Sequence, residues 1–257
     1  MLKELVLKYG KDKINTFTKY PSILTLHQLG DKGVLKEEFT TPIQGEKLYG
    51  TEKIDGTNSR IICFGGEHLI GSREFILYHS NDLYFDPGQG IVEGLKNLDI
   101  KIPTDIKNFT VIYGEFYGGR VSSNSKWYGQ DKIGFRVFDI AEYEDLSILE
   151  LSLSKISNWR ERETEQGIIY GQNFLTRTEM QDKFPEFEYV PLVEFDLGDM
   201  SNRTILDNLN KFIPQTNVAL SESGTKKAEG LVLRNEDRSK IVKIRFEDYE
   251  RTFKMKK

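Results

Sequence analysis

The chain has 257 residues, of which 12% are aromatic and 30% are charged, and its net charge is −4; this permits one large globular domain with a sizeable core and excludes a uniformly basic protein. No run approaches the roughly 18 consecutive apolar residues that a membrane-spanning helix needs, and residues 1–10 lack the apolar stretch of a secretory signal, so no membrane association is expected. Cys63 is the only cysteine and the three histidines are scattered, which excludes an intramolecular disulfide, fits a cytoplasmic location and leaves oxygen atoms as the expected ligands of any metal.

The first part of the chain is predicted to begin with a helix and to continue mainly as strands. Apolar residues at helical spacing predict a helix over residues 2–9. Residues 21–29 are expected to be extended and then helical. Two apolar runs, 60–64 and 68–70, flank Gly65-Gly66 and predict a β-hairpin.

A lysine precedes the strongest turn signal in this region. Residues 45–54 alternate and predict a strand that carries Lys53, and Asp55-Gly56 follows it before the apolar run 61–64. This order is typical of a strand, a tight turn and a second strand, with Lys53 at the mouth of the turn. A lysine there is either solvated or projects into a cleft, and the local pattern does not decide between the two.

The rest of the chain alternates between strands and helices, and no internal repeat or low-complexity linker interrupts it. Thr176 and Glu179 form a predicted capping box that opens a helix ended by Pro185. Strand-rich ends around a helical middle predict one α+β domain with an antiparallel core over residues 1–257. The further predicted elements are helices at 91–98, 145–159 and 202–212, a turn at 85–88, and strands at 109–117, 133–140, 189–195, 229–234 and 241–246.

Charge is distributed unevenly along the chain. Residues 226–257 contain eleven Lys or Arg and six Asp or Glu, a net of +5, so the remainder carries −9. A basic segment on an acidic body is typical of a surface that faces phosphates. The alternative is a solvated tail, which is the expectation for residues 254–257 alone.

Five short motifs follow one another along the chain. The first, Glu52-Lys53-Ile54-Asp55-Gly56-Thr57-Asn58, resembles the K-x-D-G motif that carries the nucleophilic lysine of the covalent nucleotidyltransferases, the superfamily of DNA ligases, RNA ligases and mRNA capping enzymes, and the order of the five motifs is similar to the order in that superfamily. The other four resemble its later motifs, and each lies on a predicted strand. They are Tyr113-Gly114-Glu115-Phe116-Tyr117-Gly118, Phe135-Arg136-Val137-Phe138-Asp139-Ile140, Glu229-Gly230-Leu231-Val232-Leu233-Arg234 and Val242-Lys243-Ile244-Arg245.

Within the superfamily the resemblance is closest to the RNA ligases. Thr57-Asn58 after the glycine is the RNA-ligase form of the first motif, and Gly71-Ser72-Arg73 resembles the arginine segment that follows it. The resemblance runs roughly from Lys47 to Tyr249 and is weak across 147–199. The chain departs from the family pattern at Arg245, where the last motif usually has a second lysine, and an arginine is a planar fork where a lysine is a point charge.

The resemblance implies an antiparallel-sheet nucleotidyltransferase (adenylation) domain with an ATP-grasp-like core and helical insertions. It implies an ATP-dependent RNA ligase in which Lys53 attacks the α-phosphorus of ATP, forms lysyl-AMP and releases pyrophosphate. AMP then moves to an RNA 5′-phosphate, and an RNA 3′-OH displaces it as the strand is sealed. An attacking amine must be neutral although the ordinary pKa of a lysine is about 10.4, so burial or nearby cations are expected to assist.

The resemblance also implies roles for the other motif residues. Lys243 and Arg245 are expected to act with Lys53 in catalysis, and with Arg73 they are suitable phosphate ligands. Glu229 is the expected ligand of Mg²⁺ or Mn²⁺. Glu115 would accept from the ribose hydroxyls and Phe138 would stack on adenine. The expected nucleotide-binding residues are Glu52, Ile54, Asn58, Arg73, Glu115, Phe138, Glu229 and Lys243.

Some of these residues, and some of their neighbours, also fit structural roles. Phe138 also fits a core position, and Asp139 a turn cap. Arg60 is expected to be a solvated strand residue. Trp127-Tyr128 either stacks on RNA bases or packs locally, and local packing is favoured. The histidines are assigned structural or surface positions.

The segment after Arg245 is too short for the OB-fold that DNA ligases and capping enzymes carry there, so a minimal domain without a C-terminal OB-fold is expected. RNA ends would then bind on the catalytic domain, on a separate RNA-end-processing partner, or on the 147–199 segment. Two alternatives stay open: a DNA or mixed-substrate nick ligase of the same chemistry, and a non-catalytic module that binds a nucleotide or an RNA end. The oligomeric state is not predicted.

Overall fold

The computed structural model describes residues 1–80, 85–87, 90–161, 171–222, 224 and 227–255, and the chain forms two compact units. The first unit comprises Met1–Ser22, Gly56–Phe116 and Ile133–Tyr189, and the second comprises Ile23–Asp55, Tyr117–Lys132 and Val190–Lys257. The chain therefore passes from the second unit into the first directly after Asp55, two residues beyond Lys53. The prediction of a single domain without an OB-fold stays a prediction.

Helices and antiparallel strands make up the described part of the chain. The helices are α1 (Leu2–Tyr9), α2 (Lys11–Thr18), α3 (Ile91–Asn97), α4 (Leu153–Glu161), α5 (Arg177–Lys183), α6 (Asn202–Phe212) and α7 (Phe246–Met255). The strands are β1 (His27–Leu29), β2 (Leu35–Phe39), β3 (Tyr49–Lys53), β4 (Thr57–Phe64), β5 (Glu67–Ser72), β6 (Ile76–His79), β7 (Phe109–Gly118), β8 (Ile133–Tyr143), β9 (Leu192–Val193), β10 (Gly230–Arg234) and β11 (Ile241–Arg245). None of the helices in these described ranges has the length and apolar character needed to cross a bilayer.

The first unit is built on a five-stranded sheet with the strand order β6-β5-β4-β7-β8. Apolar side chains of this sheet, such as Ile62 and Val111, form one buried cluster with Ile14 and Phe17 of α2. The buried face explains why β4 and β7 are rich in β-branched and aromatic residues. Cys63 lies in β4 at 1% exposure, and burial raises the pKa of its thiol to about 12.

The second unit contains a four-stranded sheet with the order β11-β10-β3-β9. Leu231 and Ile244 on one face of this sheet pack against Ile205 of α6 and Tyr249 of α7 in a second buried cluster. Helix α6 begins where the Ser201 side chain accepts a hydrogen bond from the Thr204 backbone, which is an N-cap. A separate two-stranded sheet, β1-β2, completes this unit.

Several sequence predictions are confirmed. The hairpin across Gly65-Gly66 is formed by β4 and β5. The capping box of Thr176 and Glu179 is present, and α5 ends at Lys183 before Pro185. Helix α6 spans the predicted residues 202–212, and β7, β8, β10 and β11 lie at the predicted positions with small shifts of their ends.

Other predictions are wrong. Lys53 and Gly56 do not lie in a hairpin, because β3 pairs with β9 and β10 whereas β4 pairs with β5 and β7. Residues 21–29 contain no helix and end in the strand β1. The predicted strand 189–195 is reduced to the two residues of β9, and the helix predicted at 145–159 is split into a 3₁₀ turn and α4.

Three features of the fold were not predicted or were misjudged. Helix α2 was missed, and α7 occupies a segment whose end was predicted to be a solvated tail. Arg60, predicted to be solvated, is fully buried in β4 and donates to the Asn15 side chain. Burial lowers the pKa of Arg60 to about 10. Gly88 of the predicted turn, and residues 162–170 of the 147–199 segment, lie outside the described residues.

Candidate active site

Lys53 and Glu229 form an ion pair at the end of the sheet in the second unit. Antiparallel pairing sets Lys53 opposite Gly230, so the residue before Gly230 lies beside the lysine. The Nζ atom of Lys53 is 2.6 Å from Oε2 of Glu229, and the two side chains are 28% and 18% exposed. Burial raises the pKa of Glu229 above its ordinary value, and the opposing effect of the Lys53 charge does not cancel this. The lysine therefore donates to a carboxylate that is an unusually strong base for its type.

The predicted catalytic cations share one face of this sheet. The register places Lys53, Gly230 and Arg245 side by side, and Lys243 lies two residues before Arg245 on the same strand. Residues two apart on a strand point to the same face, and so do directly paired residues on neighbouring strands. Lys53, Lys243 and Arg245 therefore project from the face opposite the apolar cluster.

Gly230 is required by the close approach of two strands at this point. A Cβ atom built on Gly230 would lie 1.9 Å from the carbonyl oxygen of Ile244. Only glycine fits there without moving β11 away from β10. The glycine after Glu229 thus sets the spacing of the strands that carry the glutamate and Arg245.

The guanidinium of Arg245 is held by two carboxylates. Its Nε and Nη2 atoms donate to Asp248 at 2.9 and 3.0 Å, and Nη1 lies 2.6 Å from Oε1 of Glu247. Burial by itself would lower the pKa of Arg245, but the interactions with these carboxylates outweigh that effect and raise the pKa. Asp248 is almost fully buried and also accepts from Arg251. The Arg245 guanidinium therefore already binds two carboxylates within the fold. A lysine ammonium, as a single point charge, could not make the same set of contacts.

Glu52 fastens a loop of the second unit to β3. Its side chain is buried at 2% exposure and accepts from the Thr216 hydroxyl at 2.5 Å and the Asn217 backbone at 2.8 Å. Its own backbone N–H donates to Pro191 at 3.0 Å. Ile54, the neighbour of the lysine on its other side, is buried as well. The residues on both sides of Lys53 are thus fixed in position.

Asp55 is a site residue that the sequence reasoning did not single out. Its carboxylate accepts from Ser122 at 3.2 Å and from Asn124 at 2.9 Å, and its backbone N–H donates to the Tyr128 hydroxyl at 2.8 Å. Burial raises the pKa of Tyr128, which stays a neutral donor and acceptor. The Asp-Gly pair signalled a turn, and no local pattern indicated that this aspartate anchors the 122–128 loop.

A cavity of about 300 Å³ lies beside the Lys53–Glu229 pair in the second unit. Glu229 and Asp55 both contribute to its wall, as does the partly exposed Trp127. Tyr128, in contrast, is buried, so the local packing favoured for the Trp127-Tyr128 pair is confirmed only for the tyrosine.

In the first unit, Asn58 and Glu115 lie directly opposite each other on β4 and β7. Directly opposed side chains on neighbouring strands point to the same face, so these two predicted nucleotide ligands lie together. Both are half-buried. Among the described residues, the buried Oδ1 atom of Asn58 meets no hydrogen-bond donor. The pair combines an amide and a carboxylate on one face of the sheet.

Phe138 of β8 is half-buried and packs on an aromatic neighbour. Its ring meets Tyr20 at 5.0 Å between centroids with an interplanar angle of 77°. The Tyr20 hydroxyl in turn donates to Asp139, which is 1% exposed. Phe138 therefore has a fixed ring orientation and an incompletely buried surface, and the Asp139 carboxylate accepts a hydrogen bond from a tyrosine.

Arg73 projects from the turn between β5 and β6 with its side chain 63% exposed. The turn is held by Ser72, whose hydroxyl accepts from the Glu74 and Phe75 backbones at 3.3 and 3.1 Å. The Asn15 side chain donates to the Glu74 carbonyl at 2.9 Å, and Arg60 donates to Asn15. The buried Arg60 thus supports the turn that carries Arg73.

Oxygen atoms are the metal donors that this site offers. In the part of the chain that the structure describes, no cluster of three or more His, Cys, Asp or Glu side chains is arranged to hold a metal ion. Glu229 lines the cavity with Asp55 and offers a hard carboxylate. Such a donor set fits Mg²⁺ or Mn²⁺ bound mainly by phosphates and water, because these ions often keep only one or two protein carboxylates.

Each unit therefore brings together a part of the predicted site. The second unit holds Lys53 with Glu229 and, on the same sheet face, Lys243 and Arg245, and it fixes Glu52 and Ile54 on either side of the lysine. The first unit sets Asn58 opposite Glu115 and carries Phe138 and Arg73 on separate elements. All ten predicted residues lie within the described part of the chain.

The fold is similar to that of solved RNA ligase structures. The Naegleria gruberi RNA ligase with PPi matches with a TM-score of 0.52 and 17% sequence identity, over 93% of this chain and 59% of that chain. A glutamate-to-alanine mutant of the same ligase with ATP and Mn matches with a TM-score of 0.50 and 18% identity, over 92% and 58%. A further mutant with AMP and Mn matches with a TM-score of 0.52 and 17% identity, over 92% and 58%.

The chain thus spans about 59% of the length of the first of these structures. At 17% sequence identity, the structural similarity shows a shared fold. A search of curated proteins found no match. A family model described as RNA ligase matches residues 46–256, which include all five sequence motifs. The chain belongs to the RNA ligase family.

Proposed function

We propose that this chain is an ATP-dependent RNA ligase that works through a lysyl-AMP intermediate on Lys53. The observation that carries the proposal is the Lys53–Glu229 pair, a half-buried amine 2.6 Å from a half-buried carboxylate at the end of the sheet. Its surroundings support the same conclusion, since Lys243 and Arg245 project from the same sheet face.

In the first step, the Lys53 nitrogen forms a bond to the α-phosphorus of ATP, and the bond from that phosphorus to the bridging oxygen breaks, releasing pyrophosphate. The amine must give up a proton. Glu229 is placed to accept it, because it already receives a hydrogen bond from Nζ and because burial raises its pKa and so strengthens it as a base.

Phosphoryl transfer depends mainly on positioning and on stabilising negative charge. Lys243 and Arg73 are proposed phosphate ligands, and the Arg73 side chain is 63% exposed and so accessible to a phosphate. Arg245 is also proposed, but its guanidinium would have to exchange Glu247 for a phosphate while Asp248 holds its other edge. One Arg245 nitrogen, Nη1, is therefore the donor available for this role.

The proposed ligands of the AMP moiety are residues of the sequence motifs. Asn58 and Glu115 supply an amide and a carboxylate on one sheet face for the ribose and base, and Phe138 offers a ring held in place by Tyr20. Ile54 and the backbone beside Glu52 flank the lysine, and the Glu52 side chain keeps that segment rigid through Thr216.

A divalent metal is proposed at Glu229, whose carboxylate oxygen is the hard donor that Mg²⁺ and Mn²⁺ prefer. When bound, the ion would neutralise phosphate charge. Structures of the similar Naegleria gruberi ligase contain ATP or AMP together with Mn, which supports this choice.

In the later steps, an RNA 5′-phosphate oxygen attacks the α-phosphorus and the bond to Lys53 breaks, so that the amine regains its proton. An RNA 3′-OH then attacks the activated 5′-phosphate, and AMP leaves. The proposed partners are thus ATP and RNA ends, with a separate RNA-end-processing protein as a further candidate. A cytoplasmic location stays a prediction, supported by the single buried cysteine.

The test is incubation with ATP labelled on its α-phosphate and Mg²⁺ or Mn²⁺. We expect the folded wild-type protein to acquire covalent label and Lys53→Ala to acquire none. Lys47→Ala is the matched control, because Lys47 is an exposed lysine of the same segment that lies outside β3. An unlabelled wild-type protein with a normal unfolding transition would favour the binding-module alternative.

Substrate choice requires a second experiment. Labelled protein is separated from ATP and offered 5′-phosphorylated RNA or DNA with a matching 3′-OH strand. Release of label to RNA and sealing of RNA strands are expected. Sealing of DNA alone would reject the RNA assignment and favour a DNA nick ligase, and equal sealing of both would identify a mixed-substrate enzyme.

A further inference from the structure

The turn between β5 and β6 is fastened to α2 by contacts that the proposed chemistry does not use. The Asn15 side chain of α2 donates to the Glu74 carbonyl at 2.9 Å, and the ammonium of Lys19, at the end of the helix, lies 2.8 Å from Oε2 of Glu74. The same turn carries Arg73. Asn15 and Lys19 precede residues 46–256, the part of the chain that the RNA ligase family model matches. The family motifs therefore do not account for this contact.

A buried arginine holds the helix side of the contact. Arg60 is fully buried and donates through Nη2 to the Asn15 side-chain oxygen, which leaves the Asn15 amide group directed at Glu74. Among the described residues, Nε and Nη1 of Arg60 meet no acceptor. A guanidinium buried with so few partners lowers the stability of the fold. The hydrogen bond that it does make fixes Asn15, and Asn15 in turn holds the turn that carries Arg73.

Gly71 allows the Arg60 side chain to lie beneath this turn. A Cβ atom built on Gly71 would lie 2.9 Å from Nε of Arg60 and 2.9 Å from the carbonyl oxygen of Phe75. That carbonyl accepts from the Ser72 backbone at 2.8 Å and so closes the turn. Such a close approach favours glycine at this position of the strand. The turn, Arg60 and α2 are thus packed together within the first unit.

The Glu74 carboxylate lies between two cations. Its Oε2 atom is 2.8 Å from Nζ of Lys19, whereas its Oε1 atom is 3.7 Å from Nε of Arg73, beyond hydrogen-bond distance. The hydrogen bond from Lys19 lowers the pKa of Glu74, so the carboxylate stays ionised at neutral pH. Without Lys19, this carboxylate would bind the neighbouring Arg73, because a guanidinium binds carboxylates and phosphates alike. Glu74 would then compete with a phosphate for the arginine.

We infer that Lys19 and Asn15 are positioning residues that keep Arg73 available to the phosphates of the nucleotide. This inference rests on the proposed function and adds to it the means by which Arg73 is presented. Lys19 draws the Glu74 carboxylate away from the Arg73 guanidinium, and Asn15 fixes the backbone of the turn. Neither residue is required to contact the nucleotide.

Labelling by α-labelled ATP at varied ATP concentrations tests the role of Lys19. Lys19→Met keeps a long apolar side chain and removes the ammonium. It should raise the KM for ATP about fivefold, the effect of one exposed ion pair gained by Arg73. The double variant Lys19→Met/Glu74→Gln should restore the wild-type KM, because the competing charge is gone. In an Arg73→Ala background, Lys19→Met should have no further effect.

Lys8→Met is the matched control, because Lys8 forms an exposed ion pair with Glu150 at 3.2 Å elsewhere in the first unit. It should be labelled with the wild-type KM for ATP. A raised KM in Lys19→Met that persists in Lys19→Met/Glu74→Gln would show a general structural defect and would overturn the inference. An unchanged KM in Lys19→Met would overturn it as well.

Hydrogen exchange tests the role of Asn15. Asn15→Asp keeps an oxygen that accepts from Arg60 and loses the amide group that donates to Glu74. The backbone N–H groups of Glu74 and Phe75 donate to the Ser72 hydroxyl at 3.3 and 3.1 Å. Both should exchange faster in Asn15→Asp, and the KM for ATP should rise. Unchanged exchange and an unchanged KM in the folded variant would overturn the role of Asn15.

Binding of ATP separates this inference from the proposed function, because it requires no catalysis. Calorimetry on Lys53→Ala proteins should show weaker ATP binding when Lys19→Met is added and recovery when Glu74→Gln is added to both. If this pattern is found and the wild type acquires no label, the ligase is rejected and the positioning role is retained. If the wild type is labelled but neither ATP binding nor KM responds to Lys19→Met, the ligase is retained and the positioning role is rejected.

Discussion

Arg245 and Asp248 form a two-point ion pair in which the guanidinium donates through Nε and Nη2 at 2.9 and 3.0 Å. Asp248 is nearly inaccessible to solvent, so the arginine neutralises a buried charge at the start of α7. This geometry gives a physical reason for an arginine where the last motif of the family usually has a second lysine. A lysine would supply one donor direction where the carboxylate requires two.

Arg245→Lys is expected to retain labelling by ATP and to lower the free energy of unfolding by about 1–2 kcal/mol, since one charge-assisted hydrogen bond to a buried carboxylate is lost at a partly exposed site. Urea denaturation and covalent labelling check the two effects separately. Asp248→Asn should destabilise the protein in a similar way. A stable but unlabelled Arg245→Lys protein would instead place the fork itself in the reaction.

Lys243→Ala is expected to abolish labelling, because this lysine lies on the same sheet face as Lys53, opposite Val232 of β10, and supplies positive charge for the phosphates. Lys240→Ala, on the loop that precedes the same strand, is the matched control and should be labelled at the wild-type rate. Loss of label to the same degree in Lys243→Ala and Arg245→Lys would show that planar fork geometry matters as much as charge.

Glu229→Gln is expected to slow labelling about 100-fold, the usual contribution of a general base. Glu229 should also make the stability of the wild-type protein depend on pH. The folded-state pKa of Glu229 is raised, so the folded state favours the protonated carboxyl group. The stability that this group contributes below about pH 4.3 is therefore lost as the pH rises.

The melting temperature of Glu229→Gln relative to the wild type should therefore increase between pH 4 and pH 8, by thermal scans at each pH. Asp105→Asn, at an exposed carboxylate of the first unit, provides the comparison. A Glu229→Gln protein that becomes progressively less stable than the wild type over this range would mean that pairing with Lys53 outweighs burial.

Gly230→Ala is expected to destabilise the protein by about 3 kcal/mol, because the added methyl group would overlap the Ile244 carbonyl and force β10 and β11 apart. Gly45→Ala is the control. Gly45 has a φ of +76° with open space around its Cβ position, so only backbone strain of about 1 kcal/mol is expected. Equal effects in chemical denaturation would indicate that β11 yields easily.

His27 should make the fold sensitive to mild acid. It is buried, with Nδ1 2.8 Å from the Tyr249 hydroxyl and Nε2 2.9 Å from the Met200 carbonyl, and burial lowers its pKa. Neutral His27 therefore stabilises the fold above the ordinary histidine pKa of about 6.5, and this stabilisation is lost as the pH falls through the lowered pKa of the folded state. The melting temperature of the wild type should drop more steeply than that of His27→Gln between pH 7 and pH 5.

Local patterns predicted the elements whose signals lie within a few residues. Helix α6 was predicted from its apolar spacing, and the capping box of Thr176 and Glu179 located α5. The β4–β5 hairpin followed from two apolar runs around Gly65-Gly66. In each case the residues that make the contacts are neighbours in the chain, so the pattern contains the necessary information.

Long-range pairing could not be read in this way. The Asp55-Gly56 pair was interpreted as a hairpin because a turn signal does not specify which strands pair, and β3 instead pairs with β10, far along the chain. Helix α7 was missed because its buried residues, among them Phe246 and Tyr249, are separated by charged ones. Arg60 was misjudged because arginine is usually exposed, and only the folded structure shows that its guanidinium donates to the Asn15 side chain.

In the candidate site, too, the residues could be predicted from local sequence but their long-range contacts could not. Lys53, Glu229 and Lys243 were predicted from motifs, but the contact between Lys53 and Glu229 depends on a register that joins distant segments. The engagement of Arg245 by Asp248, the anchoring role of Asp55 and the cavity walled by Trp127 were not predicted. These features depend on side-chain geometry that motif order does not encode.

The state of Cys63 makes the chain suitable for site-specific chemical labelling. Thiol reagents attack thiolates, and a buried thiol with a pKa near 12 offers almost none at neutral pH. A cysteine introduced at the exposed position of Lys126, beside Trp127, would therefore be the single reactive thiol without removal of the native one. A dye attached there would report directly on occupation of the neighbouring cavity.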